Sequence, residues 1–203
     1  MDLTTAFSVD DLDRAIKAFR ELGFVVLQNA VSSADLDKIE EELTEAQRNL
    51  INGQLDNRYG TELLDEPGAT FEGKPFRHYV INCTELSATA LSVAESSLLK
   101  TFASKVFDGN DCWLNDYARF GVVYQDSRTD EGSKYSRIGW HADYNSDEGS
   151  KAWPGFAFTI HIDPTSAANG FLRVVPGSHK IEVQKDEIGS WAFDHVQGEV
   201  PVF

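Results

Sequence analysis

The hydrophobic period of this chain changes along its length, and that change constrains the fold more than any other feature. Over residues 12–22, 36–50 and 91–106, apolar side chains recur three and four apart, the spacing of a buried helical stripe. From residue 156 to residue 163 they recur at every second position, the spacing of one face of a strand. Helices gathered ahead of strands, without alternating with them, read as an α+β chain that is mainly β after its N-terminal helices.

Local signals place the elements. Ser8 can cap a first helix, with Asp11 three residues on and Leu12, Ile16, Phe19 and Leu22 on one stripe, and Gly23 stops it. Phe24 to Leu27 reads as a short buried strand. Ser32 or Ser33 then opens a second helix with Leu36, Ile39, Leu43, Ala46 and Leu50 on its apolar side. Its other side carries Asp37, Glu41, Glu42 and Glu45, the pattern of a solvated face. Residues 53–75, rich in Gly, Asp, Glu and Pro, read as a long loop of the kind that forms lids. A third helix is expected over residues 88–106, using Leu91, Leu98, Phe102 and Val106 and ending before Asp108-Gly109-Asn110. Strand-forming residues cluster from Trp113 to Tyr124 and from Phe156 to Ile162. In the second cluster Phe156, Phe158, Ile160 and Ile162 would pack under the helices, while Ala157, Thr159, His161 and Asp163 would line a cavity.

With 33 acidic and 18 basic side chains the net charge is −15. That balance excludes a nucleic-acid partner, which needs clustered Lys and Arg, and disfavours anionic membranes. No apolar run of about 18 residues and no basic leader before an apolar stretch is present, so a soluble, cytoplasmic protein is expected. The two cysteines, Cys83 and Cys112, form no C-x-x-C pair, and nothing in their spacing calls for a disulfide. At 203 residues, a single domain buries roughly 70% of its unfolded surface without such staples.

Of five histidines, His141 stands in Trp140-His141-Ala142-Asp143, an H-x-D. On a strand, positions i and i+2 face one side, so an imidazole and a carboxylate can converge on one cation. They are two corners of the 2-His-1-carboxylate triad that holds Fe(II) with open positions. Downstream runs Asp163-Pro164-Thr165, then Asn169-Gly170-Phe171-Leu172-Arg173-Val174-Val175-Pro176-Gly177-Ser178-His179-Lys180, a hairpin pattern with Asn-Gly and Pro-Gly turns. No nucleophile elbow, P-loop, dinucleotide fingerprint or H-E-x-x-H competes with it. The pairing of W-H-x-D with D-P-T and N-G-x-L-x-V-x-P-G-S-H-K resembles the phytanoyl-CoA dioxygenase family of Fe(II)- and 2-oxoglutarate-dependent oxygenases. The opening ELGFVVLQNAVSSADLDKI is also similar to that family's N-terminal region.

The resemblance implies a double-stranded β-helix, a jelly-roll or cupin-like barrel. It would form one oxygenase-like domain over residues 1–203, with a helical region and first strand over 1–110 and the barrel core over 111–203. It implies Fe(II) bound by His141 and Asp143, 2-oxoglutarate and O2 as co-substrates, and hydroxylation or another oxidation of a small organic molecule. Asp143 distinguishes the chain from halogenases, which carry Gly or Ala there. A second iron-binding histidine and an arginine for 2-oxoglutarate are implied after the Gly-Ser-His-Lys turn. The third ligand is therefore expected beyond Phe203, the barrel incomplete at its C-terminus, and self-association expected through unpaired strand edges. His195 is the substitute within the chain, in a Phe193-Asp194-His195-Val196 setting nearer to His141 than the resemblance implies.

Thr159 and His161 are candidates for contact with co-substrate or substrate, against the reading of His161 as a hydrogen-bonded barrel histidine. His179 reads as structural, His78 as a residue that could border the site, and Trp140, Tyr144 and Trp153 as either pocket walls or barrel packing. A barrel that keeps the fold but has lost turnover, serving as a binding module, is the alternative in a different class.

Overall fold

In a computed structural model, the structure describes residues 5–62, 70–71, 74–75, 77–112, 124–125, 140–142, 155–164, 172–181 and 187–188. The chain divides into two compact units, one of residues 1–28 with 137–203 and one of residues 29–136.

The first unit opens with a βαβ element. Strand β1 (Ala6–Ser8) pairs parallel with β2 (Val26–Gln28), Phe7 opposite Leu27, and helix α1 (Leu12–Leu22) makes the crossover between them. Ser8 ends the strand and caps the helical segment at once. Its Oγ accepts from the Asp10 amide at 3.2 Å, starting a turn of 3-10 helix over Val9–Asp11 that leads into α1. Of the stripe expected from the sequence, Ile16 and Leu22 are buried and Leu12 and Phe19 half-buried, and Ala15 and Phe7 complete this core. Arg14 reaches back from the polar face to Asp11 at 2.7 Å and lies over the Phe7 ring. Strand β2 starts two residues later than Phe24, is half-buried at Val26 and Leu27, and pairs with β1, which the sequence reading missed.

In the second unit, helix α2 (Ser33–Ile51) is capped by Ser32, whose Oγ accepts from the Asp35 amide at 3.1 Å. Ile39, Leu43, Ala46 and Leu50 are buried from this helix, packing toward β6 (Arg77–Val80) and toward helix α4 (Ala88–Ala94). Residues 53–75 are not the continuous loop that their composition predicts. They hold β3 (Gly60–Glu62), which pairs antiparallel with β6, and the tight hairpin of β4 (Thr70–Phe71) with β5 (Lys74–Pro75). Strands this short have no readable period. β6 also pairs antiparallel with β7 (Tyr124–Gln125).

The single helix expected over 88–106 is broken. A one-turn helix α3 (Cys83–Leu86) precedes α4, and α5 (Ser97–Val106) starts anew after Ser96, whose Oγ accepts from the Leu99 amide. Phe102 stays in the core, whereas the break turns Leu91 outward to 40% exposure. The last turn of α5 closes as the sequence anticipates, with Asp108 and Gly109 both left-handed.

The acidic side of α2 is also not wholly solvated. Glu42 accepts hydrogen bonds from the hydroxyls of Ser87 and of Thr89, the latter at 3.2 Å, and Ser87 in turn caps α4 by accepting from the Ala90 amide at 2.9 Å. The Ser87 hydrogen bond, foremost, holds the Glu42 carboxyl below its ordinary value of 4.5. Glu42→Ala would strand the hydroxyl of Ser87, which is 1% exposed, and is expected to cost about 1–2 kcal/mol. Because the folded pKa is depressed, the ionised carboxylate stabilises the fold above about 4.5 and that contribution disappears as pH falls through the folded value. Urea titrations at pH 7 and pH 3.5 should therefore show a gap between wild type and variant that closes in acid. A gap that persists would mean the carboxylate charge is not what holds the junction.

Candidate metal centre

The residues named by the H-x-D pattern sit in the first unit. Trp140 is half-buried and His141 is exposed. Asp143, Tyr144, Trp153 and His195 lie outside the described residues. Among the described residues no group of three or more His, Cys, Asp or Glu side chains is gathered for a metal ion. The donor pair His141 and Asp143, one neutral nitrogen and one anionic oxygen, has the chemistry that Fe(II) takes in a facial triad.

The segment read from the sequence as a cavity-lining strand, residues 156–162, makes no sheet ladder among the described residues. A ladder needs a paired neighbour, and the flanking stretches that would supply one lie outside the described residues. The alternation itself is visible in exposure. Phe156, Phe158 and Ile160 are half-buried while Ala157, Thr159 and Asp163 are exposed. The apolar phase packs under a helix as expected, since Phe156 meets Phe19 of α1 edge-on at 5.4 Å between centroids and Phe158 meets Phe156 at 5.0 Å. His161 is half-buried, and burial pushes its imidazole below the ordinary 6.5. It is therefore neutral at pH 7, a donor at one ring nitrogen and an acceptor at the other.

That shift has a measurable consequence. With the folded pKa depressed, the unfolded chain binds the proton first, so His161 lowers stability progressively as pH falls through about 6.5. His161→Gln, which keeps a polar group but cannot charge, is expected to flatten the thermal-stability profile between about pH 7 and pH 5.5. An unchanged slope would show that the ring titrates alike in the folded and unfolded chain. The window lies above that of Glu42, so the two are separable.

His179 has a different job. Pro176-Gly177 makes the turn that its sequence predicts, with Gly177 left-handed and Ser178–Lys180 a turn of 3-10 helix. From this turn the Gly177 amide donates to the Leu22 carbonyl at 2.7 Å and the His179 Nε2 donates to the Arg20 carbonyl at 3.1 Å. Together with the Gly23 amide, which donates to the Phe19 carbonyl at 2.7 Å, they satisfy carbonyls that the last turn of α1 leaves open. The structural role expected for His179 is thus a tertiary cap. His78 belongs to strand β6 in the second unit.

One contact of the residue before His141 escaped the sequence reading: the Arg173 guanidinium lies over the Trp140 ring, 5.2 Å from its centroid. Its only signal in the sequence is that no arginine follows it.

Cys83 is buried, with its Sγ 3.2 Å from the Val80 carbonyl, Cys112 is exposed, and neither is in a disulfide. No described helix is long and apolar enough to cross a membrane.

No curated protein and no solved structure matches the chain. The model of the phytanoyl-CoA dioxygenase family matches residues 19–199, running through both compact units and across the H-x-D and Pro-Gly-Ser-His motifs. The chain therefore belongs to the phytanoyl-CoA dioxygenase family, whose members are generally jelly-roll oxygenases dependent on Fe(II) and 2-oxoglutarate.

Proposed function

We propose that this chain is a non-haem Fe(II)- and 2-oxoglutarate-dependent dioxygenase that hydroxylates a small organic molecule. The observation that carries the reading is the family match over residues 19–199 with the H-x-D donor pair intact inside it. His141 and Asp143 would hold the metal, the imidazole through a neutral ring nitrogen and the carboxylate as an anion that offsets the charge of the cation. The bound iron supplies the coupling of 2-oxoglutarate decarboxylation to oxygen insertion into a C–H bond. A second histidine nitrogen completes such a set.

The rest of the site follows from this chain's own side chains. In the proposed jelly-roll barrel, with residues 156–163 as one wall, the exposed hydroxyl of Thr159 and the neutral ring of His161 would present hydrogen bonds to the co-substrate. The apolar phase behind them, Phe156 on Phe19, would fix that wall against α1. Two free thiols suit a reducing compartment, which supports a cytoplasmic setting in which Fe(II) stays reduced.

The test is anaerobic addition of Fe(II) and 2-oxoglutarate to the folded protein. A weak visible charge-transfer band is expected, followed by succinate on admission of oxygen. Absence of both in folded protein would overturn the catalytic reading and leave a binding module.

A further inference from the structure

We draw no further inference here: the strongest candidate, the surface patch in the first unit where Leu172 and Ile181 flank the Gly177 turn in the chain and stand 52% and 53% exposed, carries nothing because nothing in the structure shows what covers it.

Discussion

His141→Ala is expected to lower Fe(II) affinity more than roughly hundredfold, because groups that merely orient a metal ligand already change affinity by about 10–100-fold, and to abolish succinate formation. Asp143→Ala should do the same, for the added reason that removing the anion leaves the dication without charge compensation from the proposed pair. Asp143→Glu keeps the charge but moves it by a methylene. It should retain weak binding with little turnover. His179→Ala is the informative control. It sits in the same compact unit and is also a histidine, yet its Nε2 is committed to the Arg20 carbonyl. It should keep Fe(II) affinity within about twofold, as expected when an interaction removed lies outside the metal's shell, and lose stability instead. Equal loss of iron in His141→Ala and His179→Ala would undo the division of roles. His195→Ala adds a fourth arm: unchanged iron binding removes that side chain from the ligand set, and loss equal to that of His141→Ala places it there.

What could be read in advance was what is decided locally. Ser8, Ser32 and Gly23 are cap residues whose effect lies within one turn, and each ends or begins the helical segment where the pattern puts it. The break before α5 was missed because Phe102 continues the apolar period across it, while the deciding contact is only the Ser96 cap. Glu42 read as solvent-facing because its partner Ser87 is 45 residues away, and no period records a hydrogen bond at that distance. The hairpin of β4 and β5 was hidden for a related reason, since two-residue strands exist only through their pairing. The first unit divides in the same way. His141 and Asp143 announce themselves because i and i+2 spacing is itself geometry, whereas the Arg173 stack on Trp140 joins residues far apart in the chain. Gly23 reads as a helix stop and Pro176-Gly177 as a separate turn, and it is the fold that makes them one device at the end of α1.

That device predicts a large stability effect. Gly23 has φ +85, a left-handed conformation that costs an L-residue about 1–2 kcal/mol. A Cβ there would also lie 2.4 Å from His179 Nδ1 and 2.9 Å from its Cγ, far inside contact distance. The ring is not a free end that can swing away without loss, since its other nitrogen holds the Arg20 carbonyl at 3.1 Å and its turn holds the Leu22 carbonyl through Gly177. Gly23→Ala should therefore add the loss of one or two carbonyl hydrogen bonds to the backbone strain, in all roughly 2–4 kcal/mol, read as a fall in Tm of about 5–10 °C. His179→Ala alone leaves one carbonyl without its partner and should cost about 1 kcal/mol. In the double variant the clash has gone, so Gly23→Ala measured in the His179→Ala background should cost only the backbone strain. The cycle should show a coupling of roughly 1 kcal/mol or more, as for residues in direct contact. Strict additivity would mean that the ring does not rest on Gly23, and with it the reading of His179 as a cap would fail.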